Sequence, residues 1–266
     1  MNLTLKDLIG YFRLDISVFG TSFGAVAYLL VSPPGFRLLP VLSSCFFLTA
    51  FTYSLNRLFD REEDRANDNT ETTLTDSNVG PFLTFVCLVL GILSAYYISF
   101  PALSIAAFGA FLGGTYSFFR LKRFFLLKNL YTTSGLSLLV LLGFAGAGEF
   151  GQGALFYATF ILFLFLASIV SDMRDYYGDK ITNLRTLPVR IGLKKTRKVI
   201  SGAFAAQGLA LSVVGAYPYH ILSAFALVIS GAVYMGRYRI AHKLSGLCFL
   251  FLAVLLFFSK AYPGIL

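Results

Sequence analysis

The stretch from Gly153 to Asp179, GALFYATFILFLFLASIVSDMRDYYGD, passes from continuous apolar side chains directly into three aspartates. Its apolar part is close to the ~20 residues that an α-helix needs to cross a bilayer. The acids Asp172, Asp175 and Asp179 follow at its carboxyl end and fall within a narrow arc of a helix. An apolar helix that ends in a carboxylate cluster predicts a membrane span with a polar site at one membrane face.

A second apolar run, 38–58, ends in the same way, in Asn56, Asp60 and Asp64. Positions i, i+4 and i+8 drift by about 40° per step, so these side chains share one helical face. Acids at a helix C-terminus oppose the helix dipole, and clustered carboxylates repel one another where water is partly excluded. Both clusters therefore predict a bound cation. Oxygen ligands favour Mg²⁺, which usually keeps several waters and takes further ligands from phosphates.

The composition places these clusters in a membrane protein. Hydrophobic residues make up 57% of the 266 and charged residues only 13%, which is far more apolar than a soluble domain. The runs are continuously apolar and do not alternate as barrel strands do. They predict an all-α polytopic membrane protein with about nine transmembrane helices. The nine runs are 12–32, 38–58, 80–100, 102–119, 130–148, 153–171, 199–217, 218–236 and 244–262.

Charge predicts the orientation. Nine alternating spans put all but Arg37 and Lys260 of the 22 basic residues on one side, together with all acids except Glu149. The positive-inside rule makes that side cytoplasmic. The N-terminus and both acid clusters are then cytoplasmic, and the clusters are expected to face each other. The net charge of +9 indicates attraction to anionic lipid and diphosphate, and we expect no nucleic-acid partner.

The order helix, acidic loop, helix, helix, basic loop occurs twice along the chain. We therefore predict one transmembrane domain, 1–266, with a two-half pseudo-repeat of about 1–129 and 130–266. Two bundles of this kind are expected to surround one central cavity. Apolar residues from Leu3 to Phe12 predict a short helix in the membrane interface before the first span. Glycine pairs such as Gly20 and Gly24 predict close helix contacts.

At this point the motifs resemble a known family. Residues 56–67, NRLFDREEDRAN, resemble the Asn-x3-Asp-x3-Asp signature of the UbiA-type intramembrane prenyltransferases. Residues 171–180, SDMRDYYGDK, followed by Arg185-Thr186-Leu187-Pro188 and Gly192, resemble the second Asp motif of that family. Tyr116-Ser117 with Leu121-Lys122-Arg123 is similar to the basic loop between the motifs. Three ordered motifs spread over most of the chain make the resemblance specific.

The resemblance implies nine transmembrane helices around a central cavity, with a cytoplasmic cap that holds an allylic isoprenyl diphosphate through Mg²⁺. It implies that Asp60 and Asp175 are catalytic. One metal ion would be bound by Asn56, Asp60 and Asp64, and the other by Asp175 and Asp179 with help from Asp172. The diphosphate would be bound by Arg13, Tyr116, Lys122 and Arg123. The donor is expected to be a compound such as geranyl or geranylgeranyl diphosphate.

Two departures from the family pattern concern specificity. Arg13 is followed by Leu14 where the family usually has proline. After Asn67, many members continue with an Arg-Pro-x-Pro-x-Gly segment, whereas this chain has DNTETTLTD at 68–76. The acceptor, lipophilic or aromatic, therefore stays open.

Two other interpretations compete with a prenyltransferase in the plasma membrane. A cation-coupled transporter also uses intramembrane acids, although it places them near the bilayer midplane on broken helices. The acids could otherwise be solvated loop charges balanced by Arg57, Arg61, Arg65 and Arg174, an ion-pair lattice of little consequence. The positions of the acids at the cytoplasmic ends of two helices favour the enzyme.

Overall fold

A computed structural model describes residues 4–60, 74–119, 121, 124–214 and 216–262. Within these residues the regular elements are helices, and none is a strand. The α-helices are α1 (Leu5–Phe12), α2 (Leu14–Val31), α3 (Leu38–Phe59), α4 (Val79–Ile98), α5 (Phe100–Phe118), α6 (Leu127–Ala147), α7 (Ala154–Arg174), α8 (Tyr176–Ile181), α9 (Leu187–Ile191), α10 (Leu193–Ser212), α11 (Tyr217–Tyr234) and α12 (Tyr238–Ala261). A short 3₁₀ turn, Gly151–Gly153, precedes α7.

Each predicted apolar run corresponds to a long helix. Among the described residues, nine helices have 18 residues or more, namely α2–α7 and α10–α12. Seven of them are long and apolar enough to cross a membrane by length and composition. The helical class of the chain is therefore confirmed.

The remaining two long helices, α5 and α10, are not among these seven. Helix α10 begins at Leu193 rather than at residue 199, and its first turns contain Lys194, Lys195, Arg197 and Lys198. Cations are costly in the hydrocarbon region, so the apolar part of α10 is short. The nine-span count, the central cavity and the cytoplasmic cap stay predictions.

The described residues form two compact units. The first comprises the described parts of Met1–Leu121, Gly135–Ala154 and Leu255–Leu266, and the second those of Lys122–Ser134 and Leu155–Val254. In the first unit, α3 packs against α1, α2, α4 and α5, and α4 packs on α5. Helix α3, which ends in the first acid cluster, is thus held on several sides. The single domain and its two-half repeat stay predictions.

Close backbone approach in the first unit depends on glycine. A methyl group on Gly143 of α6 would collide with the carbonyl oxygen of Gly24 on α2, and one on Gly24 would collide with the Cys45 thiol of α3. Small residues let membrane helices approach closely enough to gain dispersion contacts that lipid cannot supply. The glycine contacts predicted from the sequence are confirmed.

The N-terminal helix α1 is fastened by a buried hydroxyl chain. Thr4 caps α1 through a reciprocal pair with Asp7. Tyr11 is fully buried, and its hydroxyl lies 2.7 Å from that of Thr84 on α4, which in turn donates to Ser54 on α3 at 3.0 Å. Three helices are therefore joined near the end of α3. The helix expected before the first span is confirmed, and its place in the membrane interface stays a prediction.

The second unit has an aromatic core. The rings of Phe160 and Phe163 on α7 contact Phe249 on α12 edge to face, with centroids 4.9 and 5.2 Å apart. Helices α10 and α11 pack through small polar residues: Ser223 donates to the Gly208 carbonyl at 2.7 Å, and Ser230 donates to that of Ser201 at 2.8 Å. Rigid aromatic packing around α7 fixes the helix that carries the second acid cluster.

Candidate functional site

The first acid cluster begins at the C-terminus of α3. The helix ends at Phe59, and Asp60 forms its cap with a backbone N–H that donates to the Asn56 carbonyl at 2.9 Å. The Asp60 residue is 6% exposed, whereas Asn56 is half-buried. Asp64 lies outside the described residues, so its place on the same face stays a prediction. The structure thus puts a buried carboxylate where the helix dipole is negative, which favours a nearby cation.

Arg13 lies at the same end of α3. It joins α1 to α2 in a left-handed conformation, with φ 47° and ψ 57°, and its guanidinium carbon lies 5.8 Å from the ring centroid of Tyr53. Tyr53 precedes Asn56 by about one helical turn. The structure therefore brings Arg13 to the last turns of α3 through a cation–π contact, and its diphosphate role stays a prediction.

Tyr116 lies near the C-terminus of α5, which packs on α3 at two levels. A methyl on Gly113 would crowd the Thr52 hydroxyl at 2.8 Å, and the rings of Phe118 and Phe59 meet edge to face with centroids 6.3 Å apart. Tyr116 is half-buried and lies between these two contacts in sequence. It therefore belongs to the same end of the α3–α5 pair as Asn56. Lys122 and Arg123 lie outside the described residues.

The second acid cluster spans a short break between two helices. Helix α7 ends at Arg174, and Asp175, with φ −94° and ψ 8°, separates it from α8. The hydrogen bonds continue across the break, because Asp175 N–H donates to the Ser171 carbonyl at 3.1 Å and Asp179 N–H to the Asp175 carbonyl at 3.0 Å. Asp172 and Asp179, seven positions apart, both point to the protein interior. Asp175 is exposed.

Asp172 is completely buried and is held by two residues of α6. Lys128 donates to its Oδ1 at 2.6 Å, and Asn129 donates to its Oδ2 at 2.9 Å. The Asn129 amide also donates to the Ser168 hydroxyl at 3.1 Å. A buried carboxylate is tolerated only when it is paired and hydrogen-bonded. Lys128 and Asn129 therefore fix both the charge and the orientation of Asp172.

Asp175 is paired with its neighbour Arg174. The guanidinium binds the carboxylate through Nε and Nη2 at 2.8 and 2.7 Å, and Nη2 also donates to the Ser171 hydroxyl at 3.2 Å. This two-point contact has the geometry in which arginine binds a planar carboxylate best. Because the Asp175 side chain is 44% exposed, water screens the pair. The pair is therefore open to exchange with another cation.

Asp179 has the least satisfied carboxylate of the cluster. It is 7% exposed, and its Oδ2 atom is buried without a hydrogen-bond partner. Burial raises the pKa of this carboxyl to about 6, and the negative charges of Asp172 and Asp175 act in the same direction, against the positive charge of Lys128 and the Thr186 hydroxyl. A carboxylate oxygen that is buried and unpaired is suited to a ligand that the protein itself does not supply.

This donor set is compatible with a hard divalent cation. Within the described residues, no three Asp, Glu, His or Cys side chains are already grouped to hold a metal ion. Asp172 and Asp175 are engaged by basic side chains, whereas Asp179 offers a free oxygen. Oxygen donors that repel one another fit Mg²⁺.

Lys128 and Asn129 were missed from the sequence. They lie at the start of α6, and only the general excess of basic residues at 120–129 marked this region. A cation followed by an amide at the end of an apolar helix is a common pattern at membrane interfaces. Nothing in the spacing indicated that both would bond to an acid more than 40 positions away.

We predict that Lys128→Met destabilises the protein. The substitution removes the cation that compensates the buried Asp172, which then retains Asn129 as its side-chain partner among the described residues. Breaking a buried pair on one side costs about 3 kcal/mol, so the unfolding temperature of the protein in detergent should fall by several degrees. The double variant Lys128→Met/Asp172→Asn should recover most of the loss, because it no longer buries a lone charge.

Lys180→Met is the matched control, because Lys180 is exposed and has no such carboxylate to compensate. It should unfold close to the wild-type temperature. If Lys128→Met and Lys180→Met unfold at the same temperature, the Lys128–Asp172 pair contributes nothing to stability.

We predict a pH dependence that is caused by Asp179. Its pKa is about 6 in the fold, compared with an ordinary value of 3.8, so the folded state binds more protons than the unfolded state between these values. Stability must then fall as pH rises from about 4 to about 6. In metal-free protein, the stability gained by Asp179→Asn should be larger at pH 7.5 than at pH 4.5, measured by thermal unfolding. An equal gain at both values would show that Asp179 titrates normally.

Residues 17–258 match the model of the UbiA prenyltransferase family. No curated protein matches the chain significantly by sequence. Among solved structures, the chain is similar to a UbiA homologue from Archaeoglobus fulgidus bound to GPP and Mg²⁺, with a TM-score of 0.75 and 15% identity over 94% of this chain and 99% of that chain.

Two further structures have the same fold. The apo form of a UbiA homologue from Aeropyrum pernix K1 gives a TM-score of 0.74 and 17% identity, over 96% of this chain and 99% of that chain. A digeranylgeranylglyceryl phosphate synthase gives a TM-score of 0.68 and 19% identity, over 97% of this chain and 99% of that chain. The family match extends from α2 into α12 and includes both acid clusters. The chain therefore belongs to the UbiA prenyltransferase family and is an integral membrane protein.

Proposed function

We propose that this protein transfers a prenyl group from an allylic isoprenyl diphosphate to a lipophilic or aromatic acceptor in an Mg²⁺-dependent reaction that releases diphosphate. One observation carries the proposal. Among the acids and bases that the structure describes, the buried ones are Asp60, Asp172 and Asp179, and all three belong to the two clusters found from the sequence. Solvated loop charges are not expected to be buried in this way.

The relatives support the choice of donor. The Archaeoglobus homologue has been solved with GPP and Mg²⁺, and also with DMAPP and Mg²⁺. A donor such as geranyl or geranylgeranyl diphosphate carries the same allylic diphosphate group. The family to which the chain belongs consists of prenyltransferases, so the alternative of a cation-coupled transporter has no comparable support.

The proposed roles follow the two clusters. Asn56, Asp60 and Asp64 would bind one Mg²⁺. Asp175 and Asp179 would bind another, for which the unpaired oxygen of Asp179 is the best donor. When bound, the metal ions supply charge stabilisation to the departing diphosphate. The exposed Asp175 carboxylate is placed to exchange Arg174 for this partner, which would release the guanidinium for the diphosphate.

Asp172 has a different proposed role, which assists the other two acids. Because both of its oxygens already accept hydrogen bonds from Lys128 and Asn129, it orients the end of α7 from within the protein. It also adds negative charge beside Asp179, whose pKa is raised first by burial and then by the charge of Asp172. We therefore treat Asp172 as a positioning residue.

The basic and aromatic residues would receive the leaving group. Arg13 is held at the end of α3 by the ring of Tyr53, where Tyr116 also lies, and we propose that both bind the diphosphate together with Lys122 and Arg123. In the reaction, the allylic C–O bond breaks and its electron pair leaves with the diphosphate. The acceptor nucleophile then bonds to the allylic carbon and loses a proton. Pre-placed cations stabilise the developing charge without reorganisation, and apolar helices keep water from the cationic carbon.

The proposal predicts that removing one charge from either cluster abolishes most activity. Asp60→Asn and Asp175→Asn keep the side-chain size, so turnover should fall at least ~100-fold, which is typical of lost electrostatic stabilisation. The assay follows diphosphate release from geranyl and geranylgeranyl diphosphate with a panel of lipophilic and aromatic acceptors, with and without Mg²⁺. Thermal unfolding of each variant is measured in parallel.

Glu149→Gln is the matched control. Glu149 is exposed and lies on the predicted opposite side of the membrane, so this variant should keep wild-type turnover. Turnover by the wild-type protein that is unaffected by a chelator, or near wild-type turnover in both Asp→Asn variants, would refute the two-cluster mechanism.

We also propose that both acid clusters face the cytoplasm of the cell, because nearly all basic residues are predicted to lie on the same side of the membrane as the clusters. In a background without the three native cysteines, Ile181→Cys and Phe36→Cys would report on opposite sides of the membrane in the predicted topology. Both side chains are more than 80% exposed, so a thiol reagent can reach them. An impermeant thiol reagent added to intact cells should label position 36 and leave position 181 unlabelled until the cells are opened. The reverse pattern would invert the proposed orientation.

A further inference from the structure

A cavity of about 430 Å³ lies in the second unit, at the turn that joins α11 to α12. It is separate in sequence from the acid residues, except that Arg174 at the end of α7 forms one side. The lining residues are Arg174, Gly236, Arg237, Tyr238, Arg239 and Ile240.

Three of the residues that line the cavity are arginines, and two of them have no acid partner among the described residues. Arg174 is already bound to Asp175, but the structure gives Arg237 and Arg239 no carboxylate among the described residues. Arg197 of α10 reaches the same place, because its Nη1 atom lies 3.8 Å from where a side-chain carbon on Gly236 would be. Its Nε atom is buried without a hydrogen-bond partner. Cations that converge without an anion repel one another, and a buried donor without an acceptor is unfavourable.

The backbone of the turn adds donors to the same wall. Arg237 N–H donates to the Ala232 carbonyl at 2.9 Å, and the Arg237 carbonyl accepts from Ala241 N–H at 3.0 Å. Helix α12 therefore begins just after Arg237, and its first N–H groups have no acceptor within the helix. Gly236 has a φ of 75°, which lets the chain turn there while leaving room beside Arg197. The first residues of α12, Tyr238, Arg239 and Ile240, line the cavity, and the helix dipole is positive at this end.

We propose that this cavity, which we call the arginine pocket, binds a phosphate group. Guanidinium groups and open helix N–H groups both match phosphate oxygens. The phosphate can be presented by an anionic membrane lipid or come from solution as inorganic phosphate. The surroundings suit a lipid, because Tyr234, Met235 and Ile240 beside the pocket are about half or more exposed, at the ends of two apolar helices. Arg174 is shared with the proposed diphosphate site, whereas the other residues that line the pocket take no part in the proposed prenyl transfer.

The test measures binding to the full-length protein in detergent micelles. One arm titrates a short-chain phosphatidic acid, with the diacylglycerol of the same chains as the phosphate-free control, and the other arm titrates inorganic phosphate. Wild-type protein should bind phosphatidic acid and not diacylglycerol. Binding of inorganic phosphate as well would show that the pocket recognises the phosphate alone, whereas no binding of it would show that the lipid chains are required.

Two variants locate the site. Arg237→Gln/Arg239→Gln removes two exposed cations and should weaken phosphatidic acid binding at least ~10-fold, since each charge-assisted contact is strong. Gly236→Asp places a carboxylate beside Arg197, at a positive φ that aspartate adopts more often than most residues. It should abolish binding.

Lys194→Gln/Lys195→Gln is the matched control, because it removes the same charge from two exposed positions outside the pocket. Its affinity should equal that of the wild type. The proposal is overturned if the wild type binds neither ligand, or if the lysine control loses as much affinity as the arginine variant, which would indicate general surface charge. Unchanged affinity in Gly236→Asp would also overturn it.

Discussion

Polar groups on apolar helices must find partners within the protein, because hydrocarbon offers none. This constraint explains the local bonding of the long helices. The hydroxyls of Thr21, Thr49 and Thr52 donate to carbonyls four residues earlier, at 2.7 to 2.9 Å. Such bonds satisfy a side chain without a second helix. Where a charge is buried, as at Asp172, local bonding no longer suffices, and a neighbouring helix supplies Lys128 and Asn129.

The second acid cluster shows how one short segment can prepare three carboxylates for different tasks. Asp172 is neutralised inside the protein, Asp175 is paired in a solvent-accessible position, and Asp179 is buried with one oxygen unpaired. The helix break at Asp175 places this exposed acid between two buried ones. This division suits the proposed metal site, because a cluster with every carboxylate fully paired could not accept a metal ion, and carboxylates without any pairing would repel one another.

The arginine pocket has the opposite charge problem. In the second cluster, Asp179 has an oxygen without a partner, whereas Arg237 and Arg239 have no carboxylate partner among the described residues. Arg174 links the two sites, because it binds Asp175 and also lines the pocket. A phosphate bound in the pocket would therefore attract the Arg174 guanidinium and compete with Asp175 for it. In this way an anionic lipid could influence the end of α7.

The sequence alone determined the helical class, the approximate position of each long helix and the two acid clusters. These follow from local rules. The length of an apolar run predicts a membrane span, and acids are rare in apolar helices, so clusters of them at helix ends stand out in the sequence. The helix limits differ from those of the apolar runs, since α10 begins at Leu193 within a basic segment rather than at residue 199. Tertiary structure alone decided which acid is buried, which is paired and which has an unpaired oxygen. Those properties depend on residues from other helices, such as Lys128 beside Asp172, and the spacing along one helix does not indicate which side chains a neighbouring helix will supply.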